Sequence, residues 1–172
     1  MLRVGLAELE QGPVETAGQV AADDPLFRGL DFALRGPVLV SGQLTAAGRD
    51  SYYWRGRLET AVGATCRRCL APVVRPIQAP VDILFTEDEQ ADDPSVYVIP
   101  PKTRTLDLCP AVREELILAA PGYLLCREDC RGLCPRCGKD LNEGPCDCDP
   151  ETPDPRWAGL GVLKERIKTG DA

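Results

Sequence analysis

Hydrophobic and polar residues alternate along two long stretches in the middle of the chain, residues 52–64 and 73–85. The apolar members are Tyr52, Trp54, Leu58, Val62 and Ala64 in the first stretch and Val73, Ile77, Val81, Ile83 and Phe85 in the second. A period of two residues is typical of a strand with one buried face. The short segment CRRCLAP joins the two stretches, so the pattern predicts an antiparallel hairpin with Cys66 and Cys69 at its turn.

Weaker patterns on either side of this hairpin predict the rest of a sheet. Residues 32–34 and 38–44 are expected to add strands, and residues 1–10 a further short strand. Residues 97–101 favour an edge strand, because their prolines cannot donate ladder hydrogen bonds in the centre of a sheet. Residues 12–29 lack a clear period and are rich in turn-forming residues, so they are expected to form a loop.

The period changes to that of a helix at residues 106–120. Leu108, Val112 and Leu116 fall on one helical face, and Asp107 can cap the start. A second, short helix is expected near the C-terminus. Its apolar face would consist of Trp157, Leu160, Leu163 and Ile167.

Charge and composition narrow the classes of partner. The 172-residue chain has 27 acidic against 20 basic residues, a net charge of −7 and a pI of about 4.7. Such a chain is not drawn as a whole onto nucleic acid, so any contact with RNA must use a local basic surface. No apolar run approaches the length of a membrane span and the N-terminus has no leader pattern, which predicts a soluble cytoplasmic protein without a membrane partner.

The chain contains nine cysteines and no histidine. In a reducing cytoplasm, closely spaced cysteines bind metal or carry out redox chemistry more often than they form disulfides. Without histidine there is no Ser–His or Cys–His catalytic pair, and the sequence has no phosphate-binding loop, dinucleotide fingerprint or nucleophile elbow. We therefore expect a protein that is not an enzyme and has no small-molecule substrate.

Eight of the nine cysteines divide into two sets of four, the number of ligands in a structural zinc site. One set joins the hairpin turn to the segment after the helix, and the other is local. The long-range set is Cys66, Cys69, Cys126 and Cys130, and the local set is Cys134, Cys137, Cys146 and Cys148. This grouping predicts two zinc ions and leaves Cys109 as a small packed side chain in the helix.

Three alternatives stay open at the level of sequence. Residues 126, 130, 134 and 137 could form one site and leave the hairpin pair for redox chemistry. Four of the cysteines could instead hold an iron–sulfur cluster, because spacing alone does not distinguish it from zinc. The thiols could also belong to a redox-responsive zinc protein, whose exposed, low-pKa cysteines oxidise and release the metal.

These elements together predict an α+β fold. An antiparallel β-sheet with one packed helix would occupy residues 1–122. A C-terminal zinc-knuckle module ending in the short helix would occupy residues 123–172, where zinc would order a loop that has few apolar residues of its own.

Positive charge is concentrated in the first strand of the hairpin and at its turn. Residues 49–75 contain six arginines and two acids, a local charge of +4, whereas residues 82–93 contain six acids and no base. Arginine forks beside an exposed aromatic ring can bind phosphates and stack on a base. The candidate RNA-binding residues are therefore Tyr53, Arg55, Arg57, Arg67 and Arg68, with the acidic loop 87–93 facing away. The alternative is an ordinary solvated strand face.

The chain from about residue 60 onwards resembles a known family. The resemblance is carried by VREELILAAPGYLLCREDCRGLCPRCGKDLNEGPCDC, by the DPRW that follows it, and by TCRRCL after a strand. These motifs are similar to those of the YceD family, the large ribosomal RNA subunit accumulation proteins. The resemblance implies a ribosome-biogenesis factor that supports accumulation or processing of large-subunit rRNA without enzymatic activity. Its partner would be that rRNA or a precursor particle, bound directly or through a ribosomal protein.

Overall fold

The long hairpin predicted from the alternating pattern forms the centre of the fold. The computed structural model describes residues 2–91, 93, 96–148, 156 and 160. The strands are β1 (Arg3–Gly5), β2 (Val14–Val20), β3 (Ala33–Leu34), β4 (Val38–Gly48), β5 (Ser51–Thr65), β6 (Pro72–Thr86), β7 (Val96–Val98) and β8 (Thr105–Asp107). The helices are α1 (Cys109–Ala119) and two 3-10 helices at Leu6–Gln11 and Pro25–Phe27. Strands β5 and β6 pair antiparallel over their full length, which confirms the predicted hairpin.

Six strands form the main sheet, in the order β2-β4-β5-β6-β7, with β3 beside β5 on the same side as β4. All pairings in it are antiparallel except that of β7, which runs parallel to β6. The predicted edge strand is therefore present at the edge, but the sheet is mixed rather than purely antiparallel. In this parallel contact, Leu84, Phe85 and Thr86 of β6 lie opposite Val96, Tyr97 and Val98 of β7.

One prediction about the sheet was wrong. Residues 14–20, expected to lie in a loop, form β2 and pair with β4 along seven residues. The reason is that the inward face of β2 carries a threonine at its centre: Thr16 is buried and accepts a hydrogen bond of 2.9 Å from Nε1 of Trp54. Because Thr16 and Gly18 occupy inward positions, the alternation of apolar and polar residues is interrupted, and the sequence did not indicate a strand.

A second, two-stranded sheet pairs the N-terminus with the segment before the helix. Strand β1 lies antiparallel to β8, so the predicted helix 106–120 begins only at Cys109, after an extended segment. The N-cap of α1 is Leu108 rather than the predicted Asp107, but Oδ1 of Asp107, one residue earlier, accepts a hydrogen bond of 2.9 Å from the amide of Cys109. The first residues of the chain therefore determine where α1 starts.

The core lies between the inner face of the main sheet and α1. Trp54, Leu58 and Val62 of β5 are fully buried, as are Val112 and Leu116 of α1, in agreement with the two predicted apolar faces. Burial of one such side chain stabilises the fold by about 1.5–3 kcal/mol. Among the described residues, no helix combines the length and apolar character needed to cross a bilayer.

The chain divides into two compact units, Met1–Cys130 and Arg131–Ala172. The first unit includes the segment from Tyr123 to Cys130, which folds against the hairpin turn: the Arg67 amide donates to the carbonyl of Leu124, and Cys126 lies beside Cys69. Of the predicted apolar face of the C-terminal helix, the structure describes Leu160, which is exposed, and the other three residues, Trp157, Leu163 and Ile167, lie outside the described residues.

Candidate metal centres

The first set of cysteines gathers at the turn of the β5–β6 hairpin. The sulfurs of Cys66, Cys69, Cys126 and Cys130 all lie within 4.8 Å of one another. Cys66 Sγ is 3.8 Å from Cys130 Sγ, and Cys69 Sγ is 3.6 Å from Cys126 Sγ. Four sulfurs placed tetrahedrally at about 2.3 Å from a zinc ion would be separated by about 3.8 Å. The structure thus brings together the predicted long-range set, with spacings suited to one ion.

The hairpin turn folds tightly around Cys66. The Cys66 amide donates to the carbonyl of Ala71 at 2.8 Å, and the Leu70 amide donates to the carbonyl of Cys66 at 2.9 Å. The Arg68 amide points at Cys66 Sγ, 3.5 Å away. Leu70 has a φ of 62°, in the left-handed region that L-residues seldom adopt. Main-chain amides therefore face the sulfur that a metal would contact.

The second set repeats this turn. The Cys134 amide donates to the carbonyl of Lys139 at 2.8 Å, and the Gly138 amide donates to the carbonyl of Cys134 at 2.9 Å. Gly138 occupies the left-handed position, with a φ of 74°. The two turns therefore share their hydrogen bonds, but the first places leucine where the second places glycine. Leu70 accepts this backbone strain although 62 % of its surface is exposed.

Cys146 and Cys148 complete the second site. Their sulfurs and those of Cys134 and Cys137 also lie within 4.8 Å of one another. The intervening loop is ordered by Asp140, whose Oδ1 accepts hydrogen bonds from the amide and the side-chain Nδ2 of Asn142 at 2.8 and 2.6 Å. The grouping that would have joined residues 126, 130, 134 and 137 in one site is not the one found.

In each site, one cysteine loses its proton more easily than usual and another holds it more firmly. The main-chain amide of Cys69 is the main cause of a pKa of about 6 for Cys66, and that of Cys137 has the same effect on Cys134. In the same two sites, Cys126 and Cys148 have a raised pKa. Hydrogen bonding to Cys130 and burial raise the pKa of Cys126 to about 12, and contact with Cys137 likewise raises the pKa of Cys148 to about 12. Each set of four sulfurs could hold one thiophilic cation such as zinc, whose charge would favour the thiolate form of all four ligands.

The ninth cysteine takes no part in either set. Cys109, in the first turn of α1, is partly buried and packs against the core. Burial and the neighbouring Asp107 carboxylate raise its pKa to about 11, so it is a weak nucleophile.

The predicted RNA-binding residues lie in two separate places. Tyr53, Arg55 and Arg57 stand on β5. Arg55 Nε donates to Asp82 Oδ1 at 2.9 Å, the Tyr53 hydroxyl donates to the same atom at 2.6 Å, and Arg55 lies 5.8 Å from the centre of the Tyr53 ring. Arg57 is 3.7 Å from Glu59. Carboxylates thus compensate both arginines of this group.

Arg67 and Arg68 lie at the hairpin turn, roughly 25 Å of extended strand beyond Arg57. Arg68 Nη1 donates to the carbonyls of Cys130 and Glu128 at 2.8 and 3.3 Å. Arg67 Nη2 donates to the carbonyl of Gly122 at 3.3 Å. These side chains hold the segment that carries Cys126 and Cys130.

Arg75 was counted in the basic stretch 49–75 but was not among the candidate RNA-binding residues, and it belongs to the same arrangement as Arg67 and Arg68. Its Nη2 donates to the carbonyls of Leu125 and Cys126 at 2.9 and 3.4 Å. The signal in the sequence was its place in that basic stretch, but its contacts with main-chain carbonyls could not be read from it. The acidic loop that starts at Glu87 lies at the opposite end of the hairpin, where the Glu87 amide donates to the carbonyl of Asp50.

Comparison with known proteins places this arrangement in context. A family model described as "Large ribosomal RNA subunit accumulation protein YceD" matches residues 54–164, a span that contains the hairpin except for its first three residues, and both cysteine sets. No solved structure matches the chain.

Several curated proteins are similar to this chain. The "Large ribosomal RNA subunit accumulation protein YCED homolog 1, chloroplastic" of Arabidopsis thaliana is 25 % identical over 142 residues, covering 66 % of this chain and 44 % of the relative. Its namesake from Zea mays is 25 % identical over 88 % of this chain and 64 % of the relative. An uncharacterized protein of Mycobacterium tuberculosis is 37 % identical over 55 % of this chain and 47 % of the relative. The chain thus spans about half the length of most of these relatives.

Proposed function

The chain belongs to the YceD family of large ribosomal RNA subunit accumulation proteins, and we propose that it is a non-catalytic ribosome-biogenesis factor stabilised by two zinc ions. The observation that carries the proposal is the family match over residues 54–164, which includes the hairpin turn and all eight clustered cysteines. The named plant relatives support the same role in large-subunit rRNA accumulation. We place its action in the cytoplasm, on the rRNA or on a precursor particle.

The donor sets favour zinc as the bound metal. Each site offers four thiols and no oxygen or nitrogen ligand, and soft thiolates select zinc among the common divalent ions. Sulfurs 3.6 and 3.8 Å apart suit a single central ion, whereas a four-iron cluster needs more room between its ligands. Zinc would neutralise the thiolates and cross-link the hairpin turn to the segment after α1. Purified protein should contain about two zinc ions per chain by mass spectrometry.

A non-catalytic role is supported by the ligands themselves. Four cysteines close the coordination sphere of zinc, so no position remains for an activated water or a substrate. The chain has no histidine to act as a general base near neutral pH. Cys109, the one thiol outside both sets, has a raised pKa and is partly buried.

Depletion and complementation test the proposed function. Cells depleted of the protein should contain less mature large-subunit rRNA relative to small-subunit rRNA. Wild-type protein should restore the ratio, and Cys66→Ser should restore it poorly because one site is lost. The control is Cys109→Ser, which should complement fully. An unchanged rRNA ratio on depletion would refute the proposal. Crosslinking in cells, followed by sequencing of RNA and identification of attached proteins, would separate direct binding from binding through a ribosomal protein.

One observation favours a second role, as a redox-responsive zinc protein. Cys137 is exposed and Cys146 and Cys148 are half-exposed, whereas three of the four cysteines in the first set are buried. Hydrogen peroxide would take two electrons from a pair of thiolates and two protons from solvent, giving one disulfide and two waters and releasing the metal. Under this hypothesis, mild peroxide ejects one zinc ion per chain, from the second site. Retention of both ions under the same treatment would exclude it.

A further inference from the structure

The arginines of the first unit differ in how their charge is compensated. On β5, Arg55 and Arg57 each face a carboxylate. At the other end of the sheet, Arg35 and Arg67 make no ion pair with any described carboxylate. Exposed arginines whose charge is not compensated can attract an anion. Two such arginines that line one groove can both donate hydrogen bonds to the same anion.

Arg35 and Arg67 line the same groove. It has a volume of about 640 Å³ and lies between the approach to β3, residues 30–35, and the end of β5. Its charged lining residues are these two arginines and Asp31, which gives a local charge of +1 in a chain whose net charge is −7. The groove therefore favours an anionic ligand over a cationic one.

Arg35 is held in place by the main chain around it. Its amide donates to the carbonyl of Ala61 at 2.8 Å, which anchors the end of β3. Its guanidinium lies directly against Gly63, since a Cβ at that buried glycine would be 2.2 Å from Arg35 Nε. No hydrogen bond from the Arg35 side chain is found among the described residues, so its donors are available to a ligand.

Arg67 is positioned as well. Its amide donates to the carbonyl of Leu124 at 2.9 Å and its Nη2 to that of Gly122 at 3.3 Å. A guanidinium has five N–H donors, so most of those on Arg67 remain for a ligand. Phe32 lines this groove together with the two arginines, and it also lines an adjoining groove of about 230 Å³ beside the end of α1.

We propose that this groove binds single-stranded RNA, with Arg35 and Arg67 on a phosphate and the ring of Phe32 against a base. Arginine forks match the geometry of a phosphate, and aromatic rings stack on unpaired bases. A base that is paired in a duplex cannot turn towards Phe32, so the site selects single strands. The proposal rests on the proposed function for its choice of RNA over other polyanions, and it moves the contact surface from Arg55 and Arg57 to the hairpin-turn end of the sheet.

The test uses full-length, metal-loaded protein and a fluorescently labelled single-stranded RNA from an unpaired segment of large-subunit rRNA. Binding is measured by anisotropy at several salt concentrations. Arg35→Gln should weaken binding roughly tenfold, because a charge-assisted contact to phosphate is lost. The slope of log K against log salt should become shallower by about 0.7 for that phosphate. Phe32→Leu should weaken binding of the single strand and leave the salt slope unchanged.

Matched variants keep the result interpretable. Arg55→Gln removes an arginine from the same sheet whose charge is already compensated, so it should bind RNA as wild type does. Gly63→Ala displaces the Arg35 guanidinium and should reproduce the loss seen with Arg35→Gln. Zinc content and the circular dichroism spectrum show whether each variant is folded. Because Gly63 is buried, Arg35→Gln is the deciding variant if Gly63→Ala fails to fold.

Several outcomes would overturn the proposal. One is equal binding by wild type and Arg35→Gln, and another is a loss confined to Arg55→Gln. Preference for a duplex, or equally tight binding of an acidic peptide, would also exclude a single-strand site. These results leave the proposed function standing if depletion still lowers mature large-subunit rRNA, since a protein partner could then make the contact. An unchanged rRNA ratio on depletion, with RNA binding intact in vitro, would instead refute the proposed function and keep the site.

Discussion

The left-handed leucine in the first cysteine turn makes a prediction that can be worked out from the structure. Leu70 has a φ of 62°, and the equivalent position in the second turn is Gly138, with a φ of 74°. An L-residue pays about 1–2 kcal/mol for this conformation, and glycine avoids that cost. Leu70→Gly should therefore relieve strain in the folded protein.

The size of the effect follows from two opposing terms. With 62 % of its surface exposed, Leu70 loses little burial when its side chain is removed. Glycine also makes the unfolded chain more flexible, which destabilises the fold by about 0.5–1 kcal/mol. The net expectation for Leu70→Gly, after the small loss of burial is included, is a free energy of unfolding that is unchanged or raised by up to about 1 kcal/mol.

Urea denaturation at a fixed free zinc concentration measures this quantity. The reciprocal variant, Gly138→Ala, serves as the control and should lose about 1 kcal/mol or more. A decrease in stability for Leu70→Gly would refute the reasoning, because it would mean that the leucine side chain contributes packing that outweighs its backbone strain. Increased stability with reduced rRNA accumulation would instead indicate that the exposed leucine serves a partner.

The remaining predictions concern the first metal site, the core and the start of α1. Cys66→Ser should reduce the zinc content from about two ions to about one, whereas Cys109→Ser should leave it unchanged, as mass spectrometry under native conditions would show. Thr16→Val should destabilise the protein by about 1–3 kcal/mol in urea denaturation, because Trp54 Nε1 would lose its buried acceptor; an unchanged midpoint would contradict this. Burial opposes ionisation of Asp107, but the Cys109 amide and Arg3 outweigh it and lower its pKa. Its stabilising contribution is therefore present at neutral pH and lost as the pH falls below about 4. Asp107→Asn should remove that pH-dependent part of the unfolding free energy, and identical pH profiles would show that Asp107 contributes nothing.

The sequence predicted those parts of the fold whose signal is local. The alternation of Trp54, Leu58 and Val62 is regular because β5 has one fully buried face, and the four-residue steps in α1 are regular for the same reason. The two cysteine sets could be grouped by counting ligands, since a site needs four. Strand β2 could not be found in this way, because its central inward residue, Thr16, is polar and its acceptor role depends on a tryptophan 38 residues away.

The contacts of the arginines were beyond sequence analysis for a similar reason. Nothing in the local sequence distinguishes Arg55, which faces Asp82 across the sheet, from Arg35, which lies against a distant glycine. From the sequence alone, both arginines are expected to be exposed positive charges. Their difference depends on strand register, which places Arg55 opposite Asp82 and Gly63 opposite Ala33. Because register depends on the pairing of all strands in the sheet, it cannot be predicted from the sequence of one strand alone.

The length of the β5–β6 hairpin gives the molecule an electric polarity. Arg67, Arg68 and Arg75 lie at its turn, and Asp50 and Glu87 lie at its open end, separated by fifteen-residue strands. In the field of a polyanion, such a dipole experiences a torque even when the net charge is repelled. The hairpin would therefore turn its cysteine end towards a polyanion and its acidic end away from it. The charge separation along the hairpin would thus orient the protein relative to a polyanion before any specific contact forms.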